Sequence, residues 1–322
     1  MPNSLNGDSA PKRRVTVLCG GPSREHNVSL QSGRAIGDAL AERGHGVRLE
    51  DVAPNRLGAL DHPADVVFVA LHGAFGEDGQ IQAILEKRGI AYTGSGPAAS
   101  SLAIHKADAK RRLLEAGLPT PRFDVVGPAA VTTAAQDWPL PVVVKPVSEG
   151  SSICCHIVRT RAALTPALNE VTAAYGEALV EAFVPGLEIT VGILEDKPLP
   201  PIQIRSRSTF YDYHAKYEAA DTEYAFEIDL PASLLAELGD MSLAAHRALG
   251  CRDFSRVDWR VDPGSRQPFI LEVNTIPGFT SHSLLPMAVE RIGLPMPRLC
   301  ERIVELAVSR KQRQARAALE TE

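Results

Sequence analysis

Two alternating runs, SRVDWRV (255–261) and FILEVN (269–274), constrain the fold of this 322-residue chain more than any other feature. Side chains at i and i+2 of a strand share a face. Val257, Trp259 and Val261 therefore oppose Arg256, Asp258 and Arg260, while Phe269, Leu271 and Val273 oppose Glu272 and Asn274. The intervening DPGSRQ carries a Pro-Gly turn signal. A hairpin centred near Ser265 sets Asp258 opposite Glu272 and Arg256 opposite Asn274, with both apolar sets on one face. Like charges directly opposite destabilise a sheet. The facing carboxylates, with a carbonyl oxygen beside them, make sense around a cation; a solvated strand face is the plain alternative. All-oxygen ligation with few protein ligands suits Mg2+ or Mn2+, with phosphate oxygens in other positions. Arg256 then stands beside developing negative charge.

Hydrophobic residues make up 44% of the chain and charged residues 23%, enough for a packed core. The length suggests roughly two or three domains. A net charge of −5 gives no basic footprint for nucleic acid. Cys19, Cys154, Cys155, Cys251 and Cys300 are scattered and form no C-x-x-C, which fits reduced thiols in a cytoplasmic protein rather than a disulfide framework. The opening MPNSLNGDSAPKRR reads as a frayed tail, and VTVLCGG is too short for a signal-peptide core. No apolar run reaches the ~18 residues of a membrane span.

The first hundred residues alternate strands (15–20, 45–52, 65–71) with helices (29–40, 79–89), the order of a parallel sheet covered by helices. Residues 97–117 read as one helix, with Pro97 at its first position and Gly117 as its stop. GLPTPRF follows as a linker. Beyond it PVVVKP, ICCHIV, ALVEAFV, EITVGIL and PIQIRS are strands, with a helix near 161–175. Residues 206–226 form a polar loop with four tyrosines, long enough to be functional or disordered. Helices are expected over about 232–249 and 297–320.

Other segments carry chemistry. HGAFGEDG (72–79) and GGPSREHNVSL (20–30) sit at strand ends that open helices, where glycines admit a ligand and the helix start favours anions; ordinary glycine-rich turns are the alternative. Glu25 could hold a substrate ammonium, or simply favour the helix start. TGSGPAA (93–99) matches G-x-G-x-x-A, but a very short strand precedes it, and Glu115 lies within a helix rather than at a strand end, so a dinucleotide fold is rejected. There is no G-x-x-x-x-G-K-[ST], so any ATP site is not a P-loop. Lys145, closing an apolar strand before VSEGSS, suits a phosphate or a snorkelling edge position. Lys106 within HKADAKRR also reads as a solvated helix face, and Glu181 and Glu188 as exposed strand carboxylates.

Taken together, GGPSREHNVSL, HGAFGEDGQIQAILE, YTGSGPAASSLAIHK, VVVKPVSEGSS, FYDYHAKY, and RVDWR followed by EVNTIPGFTSHSLLP resemble the D-alanine–D-alanine ligases of the ATP-grasp superfamily, from about residue 15 to 295. The resemblance implies an α/β ATP-grasp fold of three domains: a tail over 1–14, a substrate-binding domain over 15–117, a central domain over 118–205, and a C-terminal domain over 206–322 with a lid at 206–226. It implies ATP with two Mg2+ or Mn2+ ions on Asp258, Glu272 and Asn274. By position Lys106, Lys145 and Ser152 match phosphate contacts, Glu181 and Val184 the adenine segment, and Glu188 the ribose contact. Glu25, Ser151 and Tyr217 match the set that orients the first D-alanine, with His72 near it and Lys216 beside Tyr217 in the lid. Arg256 and Gly278 match the reacting centre, Ser283 and Leu284 the pocket for the second carboxylate. The implied enzyme forms D-alanyl-D-alanine through an acyl phosphate for peptidoglycan precursors, as a cytoplasmic homodimer without nucleic-acid or membrane partners. A different second substrate (D-serine, D-lactate) or a nucleotide-binding paralogue with weakened catalysis are the alternatives. Two positions depart from the family pattern: Cys154 where glycine is usual, and His105 where aspartate is usual before Lys106.

Overall fold

A computed structural model describes residues 11–206, 222–280 and 282–319. Lys216, Tyr217 and most of the expected lid lie outside the described residues, as does most of the expected N-terminal tail.

The chain opens with strand β1 (Arg14–Cys19), helix α1 (His26–Glu42), β2 (Gly46–Asp51), β3 (Val66–Val69) and α2 (Gln80–Lys87). The strands form a parallel sheet in the order β2-β1-β3. β1 and β3 are apolar on both faces because both faces are covered. Val15, Val17 and Phe68 pack toward α1, and Leu18, Val67 and Val69 toward Ile81 and Leu85 of α2.

Residues 97–117 form two helices rather than one: α3 (Pro97–Ile104) and α4 (Lys106–Glu115). The break is His105, at ψ 87°, whose ring Nδ1 accepts the Asp108 N–H at 3.3 Å and so caps α4. The Lys106 N–H leaves the helix altogether and bonds the Val147 carbonyl at 2.9 Å.

Next come β4 (Phe123–Val126), α5 (Val131–Asp137), β5 (Val142–Pro146), β6 (His156–Val158), α6 (Arg161–Tyr175) and β7 (Ala178–Ala182). The antiparallel sheet runs β4-β7-β5-β6. One face, with Val142, Val144, Val158 and Val180, packs on Leu164, Leu168 and Val171 of α6. Strand alternation turns Val143, Lys145 and Glu181 to the other face, toward a cleft. β4 and α5 had no counterpart in the sequence reading: the first is four residues long and begins on the last residue of the GLPTPRF linker, and the second has no side-chain cap bond.

The remaining elements are β8 (Leu187–Leu194), β9 (Lys197–Pro198), β10 (Ile202–Ser206), β11 (Thr222–Ala225), α7 (Ala232–Ala248), β12 (Phe254–Val261), β13 (Pro268–Asn274), α8 (Leu284–Arg291) and α9 (Met296–Leu319). The sheet order is β11-β10-β8-β12-β13, with β9 on β8; the end of the loop expected over 206–226 is thus corrected, since Thr222–Ala225 pairs with β10 as a strand. Ile189, Val191, Val257, Trp259 and Val261 pack against Leu238 and Ala245 of α7. Leu285 of α8 and Cys300, Ile303 and Val304 of α9 share a core with Val15, Ile36 and Phe68, so the chain's end closes over its first sheet.

The β12–β13 hairpin pairs Asp258 with Glu272 and Arg256 with Asn274, as the alternation requires. It also contains a bulge. Beyond Asp258 the register shifts, so Trp259 faces Ile270. The expected apolar face of Phe269, Leu271 and Val273 is therefore corrected: Ile270 and Val273 are buried, while Phe269 and Leu271 are half-buried and Leu271 lines a cavity. Among the described residues no helix is long and apolar enough to cross a membrane.

Candidate active site

The hairpin register brings two carboxylates face to face, and the structure surrounds them with cations. Arg256 grips Asp258 with two parallel bonds, Nε to Oδ1 at 2.9 Å and Nη2 to Oδ2 at 2.8 Å. Thr190, directly across on β8, donates its hydroxyl to Asp258 Oδ1 at 2.6 Å. Lys106 Nζ lies 3.5 Å from Glu272 Oε2 and also donates to the Glu149 carbonyl. Asn274 Oδ1 accepts the Ile276 N–H at 2.9 Å. A buried and a half-buried carboxylate beside an amide oxygen form a hard, all-oxygen donor set, which fits Mg2+ or Mn2+ and does not fit a soft transition metal.

Two cavities meet at this point. One, of 450 Å³, is lined by Lys145, Ser152, Glu181, Val184 and Glu188. The other, of 920 Å³, is lined by Glu25, His72, Ser151, Arg256, Asn274 and Gly278, with Ser283 and Leu284 at one side. Lys106, Glu149 and Glu272 line both. Asp258 lines the smaller cavity alone. The break at His105 matters here: by starting a new helix it turns Lys106, 7% exposed, into the junction rather than onto a solvated face.

Glu181 is buried, not an exposed hairpin carboxylate. It lies between Lys145 Nζ at 2.5 Å and Lys110 Nζ at 2.9 Å, and Lys110 also donates to Thr120 Oγ1 at 2.6 Å. Burial opposes ionisation of Glu181, yet the two lysines hold its carboxyl below the usual range. Burial pushes Lys110 down to about 8, with Lys145 adding to the effect and Glu181 opposing it. Burial also opposes the charge on Lys145, but Glu181 outweighs it and the pKa is raised. One anion thus serves two cations, and the cost of burial falls on Lys110. Sequence reasoning missed Lys110 because HKADAKRR reads as a solvated face. Glu188 pairs with Arg260 at 3.2 Å, and Arg260 Nε also donates to the Val184 carbonyl at 3.1 Å.

In the larger cavity Ser151 donates its hydroxyl to Glu25 Oε1, linking the loop after β5 to the start of α1. Gly150 permits this approach: a Cβ there would come within 2.9 Å of Glu25 Oε2. The loop is tight, with Ser151, Ser152 and Cys154 at φ 49°, 56° and 53°. His72 Nε2 lies 3.2 Å from Ser32 Oγ, and burial pushes the ring pKa down despite the nearby Glu25. Glu77, not singled out from HGAFGEDG, also lines this cavity. Burial, reinforced by Glu25, raises its carboxyl to about 8, although it accepts the Gly73 N–H at 2.7 Å. Only the glycines of that segment announced a site; nothing local marked its glutamate. Ser283 stands at the position before α8, and its Oγ accepts the Thr280 N–H at 2.9 Å instead of a helix N–H.

Comparison with known proteins is consistent along nearly the whole chain. Residues 113–305 match the family model for the D-ala D-ala ligase C-terminus, and residues 48–95 the model for its N-terminus. A D-alanine–D-alanine ligase of Anaeromyxobacter sp. (strain Fw109-5) is 44% identical over 299 residues, covering 91% of this chain and 96% of that relative. The D-alanine–D-alanine ligase of Bacillus anthracis complexed with ATP superposes with a TM-score of 0.80 at 31% identity, covering 94% of this chain and 99% of that one. The VanG D-Ala:D-Ser ligase of Enterococcus faecalis gives 0.81 at 26% identity, covering 92% and 100%.

Proposed function

Because the chain belongs to the D-alanine–D-alanine ligase family, we infer that it joins two D-alanines at the expense of ATP to make the dipeptide used in peptidoglycan synthesis. The observation that carries this reading is the junction: Lys106, Glu149 and Glu272 line both cavities, so a nucleotide in one can present its terminal phosphate to an amino acid in the other.

In this assignment the 450 Å³ cavity takes ATP, with Glu181 and Val184 at the adenine, Glu188 at the ribose, and Lys106, Lys145 and Ser152 at the phosphates. Asp258, Glu272 and Asn274 would hold two Mg2+ or Mn2+ ions, which when bound neutralise phosphate charge. Glu25, hydrogen-bonded to Ser151, holds the ammonium of the first D-alanine, with His72 beside it. Its carboxylate oxygen attacks the γ-phosphorus, the bond to the β,γ-bridging oxygen breaks, and ADP leaves. Lys106 and Lys145 offset the charge spread over the phosphoryl oxygens. The unprotonated amine of the second D-alanine, its carboxylate toward Ser283 and Leu284, then attacks the acyl carbon. Arg256, with Gly278 nearby, stabilises the oxyanion; the amine gives up a proton as phosphate departs and the amide remains. Lys216 and Tyr217 belong to the proposed lid, which keeps water from the acyl phosphate. The division into domains at 117 and 205, a cytoplasmic location and a homodimer complete the reading.

The test is phosphate release from ATP and Mg2+ with D-alanine, run beside D-serine, D-lactate and L-alanine. D-alanine-dependent release with D-alanyl-D-alanine in the products is expected. Release only with D-serine or D-lactate as second substrate would overturn the substrate assignment. ATP binding without release under any of them would overturn the ligase assignment in favour of a paralogue with weakened catalysis.

A further inference from the structure

Cys154, His156 and Glu170 form a cluster on the far side of the β5–β6 loop that the ligation reaction does not use. Cys154 Sγ lies 3.7 Å from His156 Nε2 and 3.6 Å from Glu170 Oε1, and His156 Nε2 lies 3.5 Å from Glu170 Oε2. One ligand atom from each of the three residues lies within 4.8 Å of the other two. Zinc bonds of about 2.3 Å to sulfur and 2.0–2.2 Å to nitrogen or oxygen give tetrahedral edges of about 3.4–3.6 Å. Cys154 and His156 stand at such an edge to within a few tenths of an ångström, and Glu170 reaches each of them at the same spacing through a different oxygen, Oε1 toward Cys154 and Oε2 toward His156, so a turn of its carboxylate sets one oxygen against both. Thiolate, imidazole and carboxylate together select zinc-class ions, whereas the oxygen donors of the cleft select magnesium-class ions.

We propose that Cys154, His156 and Glu170 constitute a second metal site, specific for Zn2+ and its chemical relatives, with water as fourth ligand. The His156 and Glu170 side chains are 32% and 60% exposed, so an ion has a path in and a water has room. The three ligands come from different elements: Cys154 from the loop, His156 from the first position of β6, and Glu170 from α6. Cys155 lines the 450 Å³ cavity instead, so the neighbouring thiols face different sites. An ion on Cys154 ties the loop that carries Ser151 and Ser152 to the rigid α6, and so fixes the segment between the two cavities.

Cobalt titration of the metal-free full-length chain provides the test. One Co2+ per chain is expected, with a thiolate-to-cobalt charge-transfer band and the visible bands of a four-coordinate ion, both displaced by Zn2+. Cys154→Ser abolishes the charge-transfer band, and His156→Gln and Glu170→Gln each weaken binding about tenfold or more. Glu170→Gln, on the exposed face of α6, retains wild-type phosphate release with Mg2+ alone, which shows that it is folded. Zn2+ slows amide exchange over residues 150–155 in the wild type but not in Glu170→Gln. No charge-transfer band, or a band undiminished in Cys154→Ser, overturns the site; exchange unaffected by Zn2+ overturns the tie to the loop.

Discussion

Removing the charge of Lys110 and removing that of Glu181 break the same buried contact but have very different consequences. Glu181 is 2% exposed and is shared by Lys110, 1% exposed, and Lys145. Glu181→Gln leaves two buried ammonium groups without the carboxylate they share, a loss of about 3–5 kcal/mol. Lys110→Met leaves a one-to-one pair of Glu181 and Lys145. It also removes an ammonium that the fold penalises: the fall from 10.5 to about 8 corresponds to roughly 3 kcal/mol against the charged form at neutral pH. That penalty is already net of the attraction to Glu181, so its relief is set only against the lost bond to Thr120, about 1.5–3 kcal/mol, and Lys110→Met is expected to be neutral or slightly stabilising. Urea unfolding of both variants at pH 7 measures the difference. The pH dependence separates the causes further. Between pH 8 and 10.5 the unfolded chain retains a proton that folded Lys110 has released, so wild-type stability gains a rising contribution there. Lys110→Met lacks it. A Lys110→Met loss equal to that of Glu181→Gln, or an unchanged alkaline slope, would refute the claim that Lys110 bears the burial cost.

Four further outcomes are expected. Thr190→Val removes a buried hydroxyl bond to the Asp258 carboxylate and lowers stability by about 1.5–3 kcal/mol in denaturant unfolding. Cys154→Gly relieves a left-handed backbone, worth ~1–2 kcal/mol, against ~0.5–1 kcal/mol of glycine entropy, so a net gain of about 0.5–1 kcal/mol should appear in the unfolding midpoint. Burial lowers His246 to about 4, so between pH 6.5 and 4 the unfolded chain binds a proton that the native chain does not; stability falls by up to about 3 kcal/mol over that window, and His246→Asn, which keeps an acceptor toward Ser255, removes this share when unfolding is compared at pH 7 and 4. Arg256→Ala should lower kcat about 10²-fold or more, with a small change in KM for ATP, measured by phosphate release.

Much of the fold was legible where a pattern is local. Continuous apolar runs in β1 and β3 announced strands covered on both faces, and alternation in β12 and β13 set the pairing of Asp258 with Glu272. The hairpin shows the limit as well. Alternation cannot foresee a bulge, because the extra residue is chosen by packing: Trp259 and Ile270 reach a common core only if the register shifts. The single helix expected over 97–117 failed for a related reason, since the histidine that caps α4 and the Val147 carbonyl that takes the Lys106 N–H lie outside helical periodicity.

The candidate site divides along the same line. The sequence by itself determined which residue types are present and which strand face they share, because those follow from bond geometry within a few residues. That is how Asp258, Glu272, Asn274, Lys145 and Glu25 could be named from the chain alone. Tertiary structure decided which of these groups are neutralised and by what. Lys110 and Glu181 are 71 positions apart, Glu25 and Ser151 are 126 apart, and Cys154 and Glu170 are 16 apart. No local rule joins them. Charges that would cost little on a solvated face acquire partners only because the packed sheets exclude water between them, and electrostatic interaction depends on that exclusion as steeply as on distance.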